Sequence, residues 1–332
     1  MTSVTIVIPA YNAEATLPAC LDGISSLTYP VEEVILFSDG ATDSTEEIAE
    51  KYGATIIRNR GRPLGPANGR NEAVKVARTE FILFVDADVI VSPTCLELLI
   101  ADLEANGAAA AFGSYDDSPS SQRVTSLYAN LRHHYVHQHS LRDATTFWSG
   151  LGLIRRDIFL ACGGFDAEKF VYPSVEDIEL GVRIINAGHR IRLVPEALAK
   201  HYKDWSLWRV WHTDVARRAL PWARIIVSEK TTCSNLNVSL TERVRAGIAV
   251  LLIIQLLISL FQPLFAIPTI ALTTLYLVLN SGFFGLLVRR ISFGRAIGAI
   301  AMHLCYHVYS CSTFVLVLAF DKLELFRRPT RA

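Results

Sequence analysis

The chain has 332 residues, of which 51% are hydrophobic, and its 32 basic and 32 acidic side chains cancel to a formal net charge of zero. So apolar a composition excludes an intrinsically disordered protein, and the balanced charge argues against a nucleic-acid-binding protein with a basic surface. The length suggests one or two domains.

The zero net charge is the sum of three unlike segments. Residues 1–204 carry 18 basic and 27 acidic side chains, which gives this segment a net charge of −9. Residues 205–245 have a net charge of +4, and residues 246–332 have +5. An acidic front and a basic, apolar rear predict a soluble domain, 1–204, joined to a part that lies at a membrane.

The first 85 residues alternate between strand and helix patterns. Apolar runs rich in β-branched residues predict strands at 4–9, 33–37, 54–57 and 81–85. Apolar residues at helical spacing predict helices at 14–26, 43–52 and 69–77. This alternation is typical of an α/β fold in which helices cover both faces of a mostly parallel sheet.

The sequence Asp86-Ala87-Asp88 directly follows the buried run 81–85. Ligands of parallel sheets bind beyond the carboxyl ends of the strands, so we expect this loop to meet the loops at 9–14 and 38–43. Mg²⁺ and Mn²⁺ prefer oxygen ligands and often share them with substrate phosphates. A cation would also offset the cost of placing two like charges together. The triplet therefore predicts a divalent ion bound to a diphosphate.

Aromatic and basic residues are concentrated just after the acidic segment. Trp205, Trp208 and Trp211 are spaced three apart, which places them along one face of a helix. Arginines accompany them, as in helices that lie in the lipid headgroup layer. We predict that 205–245 forms an interfacial amphipathic helix and a linker. The alternative is a helix packed on the soluble domain.

No Asp, Glu, Lys or Arg occurs in residues 246–288 or in residues 296–320. The first run is long enough for two crossings of about 20 residues each, with a break at Gln262, Pro263 and Pro268. The second run is a third candidate that either crosses the membrane or is re-entrant. We therefore predict two to three transmembrane helices within 246–320.

The topology is less simple, because the basic C-terminal tail, 321–332, opposes a third full crossing. The basic loop 289–295 favours a cytosolic position between the second and third segments. Met1-Thr2-Ser3 lacks the basic region of a signal peptide, so we expect the front domain in the cytosol at a multi-pass membrane anchor. Polar side chains in the last segment, such as His303 and His307, either bond between helices or line a lipid path.

Several short motifs resemble those of the inverting family 2 glycosyltransferases, which have the GT-A fold. The matching motifs stand in the family's order at residues 9–14, 38–45, 69–71, 86–88, 163–166 and 176–183. The resemblance covers about residues 3–203 and implies that 1–204 is a GT-A catalytic domain. It also implies a nucleoside-diphosphate sugar as donor and Mg²⁺ or Mn²⁺ as cofactor.

The resemblance assigns a role to individual residues of the donor site. It places the nucleotide-sugar against Pro9, Tyr11, Glu14, Asp39, Arg70, Asp86 and Asp88. Asp39 matches the acid that contacts the base, and Arg70 matches the basic position near the diphosphate. Asp88 is expected as the direct metal ligand, with Asp86 near the ribose or a metal-bound water. His201 stands where some members have a further metal ligand.

The resemblance also assigns the catalytic and acceptor residues. An inverting transfer needs a carboxylate that removes the acceptor's proton. Asp177 matches this base, and Glu176 is expected to orient the acceptor or the loop. Trp148 and Gly164 are candidate acceptor contacts. We also expect Glu179 to pair with Arg183, four residues later on the same helix.

These observations predict a membrane-anchored, metal-dependent inverting glycosyltransferase that works at the cytosolic membrane face. The expected donor is a UDP-sugar, and the expected acceptor is a lipid or a lipid-linked glycan. One alternative is a polyprenyl-phosphate sugar synthase, whose acceptor is a phosphate that needs no strong base. A second alternative is a catalytically inactive membrane scaffold.

Overall fold

The computed structural model describes residues 2–229 and 236–322. Within them the chain forms two compact units. The first unit contains residues 2–121 and 136–204, and the second contains residues 122–135 and the chain from residue 205 onward. The predicted basic tail, 321–332, lies outside the described residues from residue 323 on.

The first unit is built on a mixed β-sheet. Its strands are β1 (Val4–Ala10), β2 (Glu33–Asp39), β3 (Thr55–Asn59), β4 (Phe81–Val85), β5 (Val89–Val91), β6 (Ala110–Tyr115), β7 (Asp143–Ala144), β8 (Leu151–Arg155) and β9 (Ile191–His201). The strand order is β3-β2-β1-β4-β8-β6-β9-β5, and β7 pairs with β9.

The parallel half of the sheet follows from the sequence. Strands β1 to β4 are mutually parallel where they pair, and the four predicted strands are confirmed. All five residues of β4 are buried, because helices cover both faces of a parallel sheet. The intervening helices are α1 (Leu17–Ser25), α2 (Thr45–Lys51) and α3 (Pro66–Val76).

The antiparallel half of the sheet brings distant parts of the chain beside β4. Strand β8 pairs antiparallel with both β4 and β6, and β5 pairs antiparallel with β9. In the β5–β9 pair Val89 lies opposite His201, which places the end of β9 next to the Asp86-Ala87-Asp88 loop. The helices of this half are α4 (Cys95–Ala105), α6 (Arg156–Ala161) and α7 (Glu176–Asn186).

The second unit is helical. It contains α5 (Val124–Gln138) up to residue 135, α8 (Leu207–His212), a π-helix (Thr213–Ala219), α9 (Leu220–Glu229), α10 (Leu240–Ser259), α11 (Ala266–Leu279), α12 (Ser281–Arg290) and α13 (Phe293–Lys322). The break predicted at Gln262 and Pro263 is confirmed, because α10 ends at Ser259 and α11 begins at Ala266. Pro268, the third residue predicted for the break, lies instead in the first turn of α11, where a helix tolerates proline.

The membrane segments differ from the multi-pass prediction. Among the described residues, α13 is the one unbroken helix that is both long and apolar enough to cross a membrane. The predicted second crossing is instead two helices, α11 and α12, which meet at an angle of 69°. The first predicted crossing is α10, whose N-terminal end carries Glu242, Arg243 and Arg245. Sequence composition did not reveal the bend, because Asn280 and Ser281 leave the run uncharged.

The polar side chains of α13 bond to neighbouring helices of the second unit. His303 lies 3.2 Å from the Tyr128 hydroxyl and 3.2 Å from Asn280 Oδ1. His307 lies 3.0 Å from the Tyr276 hydroxyl. These bonds favour the helix-to-helix interpretation of the polar residues over a lipid path.

The helix in the tryptophan-rich segment begins later than predicted, so it does not include all three tryptophans. Helix α8 begins at Leu207, so Trp205 precedes it and does not share its face. Trp208 and Trp211 lie one turn apart, with ring centroids 5.1 Å apart, and both are exposed. The described structure therefore presents a pair of tryptophans, rather than three, on this helix.

Candidate active site

Arg70 on α3 joins two acidic parts of the first unit. Its guanidinium lies 2.5 Å from Asp86 Oδ1 at the end of β4, and 3.3 Å from Glu176 Oε1 at the start of α7. The Arg70 side chain is 3% exposed. Burial opposes its charge, but the two carboxylates outweigh burial and raise its pKa. One cation thus holds the strand end and the helix start together.

Glu176 and Asp177 open α7, where carboxylates are stabilised by the positive end of the helix. Glu176 Oε2 accepts a hydrogen bond from the Ser174 backbone N–H at 2.8 Å. Asp177 Oδ2 accepts one from the Ser149 backbone N–H at 3.1 Å, and its Oδ1 accepts one from Ile178 at 2.8 Å. Backbone donors therefore fix the position of Asp177.

The pKa of Asp177 is unusual. Its burial and the negative charge of Glu176 raise the pKa of Asp177 to about 7, although the Ser149 N–H and Arg70 act in the opposite direction. A carboxylate with a pKa near neutrality is a stronger base than an ordinary aspartate. Asp177 can therefore remove a proton from a bound hydroxyl at physiological pH.

Asp88 lies beside two basic side chains from the end of β9. Its Oδ2 is 3.7 Å from His201 Nε2 and 3.1 Å from Lys203 Nζ. Burial opposes ionisation of Asp88, but the neighbouring His201 and Lys203 side chains hold its pKa below the usual range. Asp88 is therefore anionic at neutral pH.

Asp88 and His201 fit a divalent ion that has further ligands from a substrate. Two bonds of about 2.1 Å each can span 3.7 Å between Oδ2 and Nε2. In the described part of the chain, no group of three or more His, Cys, Asp or Glu side chains is placed to hold a metal. Diphosphate oxygens would thus have to complete the coordination. Asp86, which was predicted to lie near the ribose or a metal-bound water, is paired with Arg70.

His201 is held by an aromatic cluster that the sequence did not indicate. Its ring stacks on Tyr115 with centroids 4.5 Å apart and an angle of 10°. Trp148, predicted to contact the acceptor, packs edge-on against Tyr115 and His137. The Trp148 ring is partly exposed, so it can both support Tyr115 and present a face to a ligand. The sequence did not single out Tyr115, because this residue is the last of a buried strand and belongs to no motif.

Asp39 is enclosed by the loop that precedes α3. Its carboxylate accepts hydrogen bonds from the backbone N–H of Leu64 at 2.9 and 3.0 Å and of Gly65 at 2.8 Å, and from Asn59 Nδ2 at 2.8 Å. Asp39 is only 6% exposed, which leaves little surface for contact with a nucleotide base. Asp39 therefore holds the loop that precedes α3 in place, a role that the resemblance did not imply.

The other predicted nucleotide residues lie at the end of β1. Pro9 belongs to β1, and the Tyr11 side chain that follows is 56% exposed. Glu14 Oε2 accepts a hydrogen bond from the Ser44 backbone N–H at 3.1 Å, which joins the loops after β1 and β2. Tyr11 and Glu14 are both exposed, so both side chains offer surface to a ligand.

Gly164 is packed against Asn71 of the Gly-Arg-Asn motif. It has a φ of +67°, and a Cβ atom there would lie 2.6 Å from Asn71 Oδ1. Asn71 in turn bonds both the N–H and the C=O of Phe165. The structure thus explains the glycine without an acceptor. Arg183 donates to the Gly164 carbonyl and pairs with Glu179, as predicted for that helix.

The chain is similar in sequence to known glycosyltransferases over part of its length. The profile of Glycosyl transferase family 2 matches residues 5–162. Poly(ribitol-phosphate) beta-glucosyltransferase of Bacillus spizizenii is 39% identical over 92 residues, which are 26% of this chain and 14% of that protein. Glycosyltransferase GlyG of Streptococcus pneumoniae is 33% identical over 118 residues, which are 34% of this chain and 38% of GlyG. The match thus covers well under two thirds of these relatives.

Two solved structures share the fold. The mannosyltransferase PcManGT from Pyrobaculum calidifontis, in complex with GDP-Man and Mn²⁺, has a TM-score of 0.56 and 17% identity, over 98% of this chain and 88% of its own. Residues 1–349 of Staphylococcus aureus TarS, with UDP-GlcNAc, have a TM-score of 0.53 and 18% identity, over 70% of this chain and 67% of theirs.

Proposed function

This chain belongs to glycosyl transferase family 2 and has the GT-A fold, and from that premise we propose that it transfers one sugar, with inversion, from a nucleoside-diphosphate sugar to a lipid or lipid-linked glycan. The observation that carries the proposal is the pair of Asp177 and Arg70. Asp177 has a raised pKa, and Arg70 connects the base-bearing helix to the strand end that carries the Asp86-Ala87-Asp88 loop.

In the proposed reaction, the acceptor hydroxyl gives its proton to Asp177 as its oxygen attacks the anomeric carbon. The bond between that carbon and the diphosphate oxygen breaks on the opposite side, so the configuration inverts. Glu176 keeps Asp177 basic through its negative charge, and Arg70 fixes Glu176. Neither step needs a covalent intermediate on the enzyme.

For the donor, we infer that Asp88 and His201 hold Mg²⁺ or Mn²⁺. Such an ion stabilises negative charge on the leaving diphosphate. The similar structures support this inference, because one contains GDP-Man with Mn²⁺ and another contains UDP-GlcNAc. We place the nucleotide over Pro9, Tyr11 and Glu14, and we propose that this nucleotide is UDP.

For the acceptor, we infer a lipid or a lipid-linked glycan from the apolar rear of the chain. Helix α13 is long enough to anchor the protein, and Arg289, Arg290 and Arg295 lie just before or within its start. Basic residues of this kind favour the cytosolic side and anionic headgroups. We therefore propose a membrane-anchored enzyme that works at the cytosolic face, with Trp148 near the acceptor.

A donor-binding assay tests the donor half of this proposal. Purified protein in detergent is screened by thermal shift with UDP- and GDP-sugars, with Mn²⁺ and with EDTA. We expect a rise in the melting temperature that requires both Mn²⁺ and a nucleotide sugar, and that disappears in Asp88→Asn. A Glu168→Gln variant, which changes an exposed carboxylate on a loop, is the matched control. Binding that persists in EDTA and in Asp88→Asn would contradict the proposed metal site.

A further inference from the structure

Lys203 contacts the same carboxylate oxygen that we assign to the metal. Its Nζ lies 3.1 Å from Asp88 Oδ2, and His201 Nε2 approaches that oxygen at 3.7 Å. Neither the sequence motifs nor the resemblance singled out this lysine. An ammonium group at this distance from a carboxylate makes a charge-assisted hydrogen bond.

The backbone fixes where Lys203 lies. Strand β9 ends at His201, opposite Val89, and the next N–H, of Tyr202, donates to the Asp88 carbonyl at 2.7 Å. The residue after Tyr202 therefore has to leave the sheet directly beside the Asp88 side chain. The Lys203 side chain is 42% exposed, so its flexible stem has room to move away from Asp88.

We propose that Lys203 is the internal counter-cation of Asp88 when no metal is bound, and that it moves to the donor diphosphate when the metal binds. The proposal rests on the metal site of the proposed function. A divalent ion on Asp88 Oδ2 would repel the ammonium group, because both are cations on one oxygen. The nearest new anion would be the diphosphate that the same ion holds. Lys203 would thus weaken binding of the metal alone and strengthen binding of the metal together with nucleotide.

The experiment measures Mn²⁺ binding and nucleotide binding separately. Free Mn²⁺ is followed by electron paramagnetic resonance without nucleotide, and UDP and GDP are titrated by calorimetry at saturating Mn²⁺. We expect Lys203→Met to bind Mn²⁺ alone about fivefold more tightly than wild type. The same variant should bind the preferred nucleotide about tenfold more weakly. Opposite effects on the two affinities would not result from general damage to the fold.

Lys200 provides the matched control. It lies on β9, three residues before Lys203, its side chain is 40% exposed, and its Nζ is 3.9 Å from Asp116 rather than near Asp88. Lys200→Met should leave both affinities unchanged, and Lys203→Arg, which keeps a cation, should bind Mn²⁺ alone like wild type. Both results would support the proposal.

The outcomes separate this proposal from the proposed function. If wild type binds Mn²⁺ but Lys203→Met has the wild-type affinity for Mn²⁺ or for nucleotide, the role of Lys203 is refuted and the metal site stands. If Asp88→Asn binds Mn²⁺ as tightly as wild type, the metal site itself is wrong, and the role of Lys203 is refuted with it.

Discussion

At the level of single residues, three carboxylates of the site have different partners. Asp86 faces Arg70, Asp88 faces His201 and Lys203, and Asp177 accepts mainly backbone hydrogen bonds. These environments separate their chemistry, because a nearby cation stabilises the charged form and burial beside another acid destabilises it. Asp88 is thus suited to bind a cation, and Asp177 is suited to accept a proton.

Asp177→Asn should lower kcat for transfer by about 10²- to 10⁴-fold, because the base is lost while the side chain keeps its shape. In wild type, kcat/KM should rise with pH up to about 7 and be constant above it, since only ionised Asp177 accepts the proton. Initial rates from pH 5 to 9 check this, with Glu168→Gln as control. A wild-type profile that is flat across pH 7 would contradict the role of Asp177.

Asp177 should also make folding less favourable above its ordinary pKa. Its folded pKa is about 7 against an ordinary value of 3.8, so the unfolded state releases the proton more readily. The melting temperature of Asp177→Asn relative to wild type should therefore increase between pH 4 and 7 and then stay constant. Differential scanning fluorimetry in detergent measures it. A difference between variant and wild type that does not change from pH 4 to pH 7 would contradict the raised pKa of Asp177.

The sequence predicted the identity of the main acidic residues but not their partners. Asp86, Asp88 and Asp177 stand within local motifs, and the pairing of Glu179 with Arg183 follows from helix periodicity. The bridge from Arg70 to Glu176 joins residues 106 positions apart. Tyr115 and Lys203 carry no local signal. The pairing of β6 with β9 brings Tyr115 to His201, and the pairing of β5 with β9 brings Lys203 to Asp88.

At the scale of elements, the loops around the site are fixed by close backbone packing. Gly164 precedes the Phe165 backbone that Asn71 of α3 holds on both sides. Because Asn71 cannot move without losing these bonds, the contact between α3 and the loop after α6 tolerates no side chain at residue 164. This contact keeps Arg70, the neighbour of Asn71, in place.

Gly164→Ala should destabilise the fold more than Gly188→Ala does. Both glycines have positive φ, +67° and +84°, which costs an alanine about 1–2 kcal/mol. Only at Gly164 does the added Cβ meet another group within 4 Å, at 2.6 Å from Asn71 Oδ1. Melting temperatures of the two variants measure the difference. Equal decreases in melting temperature would show that the contact with Asn71 does not exclude a side chain at residue 164.

The sequence predicted the strands of the parallel half but not the boundaries of several helices in the second unit. The four strands of the parallel half were found because each contains a short continuous run of apolar residues, which is typical of strands in parallel sheets. The bend between α11 and α12 was missed, since hydropathy does not distinguish one apolar helix from two. The start of α8 after Trp205 was missed for a related reason, because spacing alone does not show where a helix begins.

At the scale of the whole molecule, the zero net charge separates into an acidic domain and a basic, apolar rear. The −9 of residues 1–204 includes the carboxylates of the site, and the positive charge lies beside the tryptophans and the apolar helices. We propose that the exposed Trp208 and Trp211 lie in the lipid headgroup layer, where aromatic rings are favoured.

Brominated lipids should quench the tryptophan emission of the protein in proteoliposomes. We expect the double change Trp208→Phe and Trp211→Phe to remove most of the quenching, because these rings are exposed on α8. Trp148→Phe should retain it, since Trp148 packs on Tyr115 in the first unit. Undiminished quenching in the double variant would place the membrane contact elsewhere.

The most direct test of the central claim is transfer itself. Purified wild type and Asp177→Asn are incubated with labelled UDP- and GDP-sugars, Mn²⁺ and a lipid extract of the host. The products are counted, and their anomeric configuration is determined by NMR. We expect a labelled lipid of inverted configuration, made by wild type with Mn²⁺ and absent with EDTA or in Asp177→Asn. Retained configuration, or equal transfer by Asp177→Asn, would contradict the central claim. Transfer by that variant to a polyprenyl phosphate would point to a phosphate acceptor.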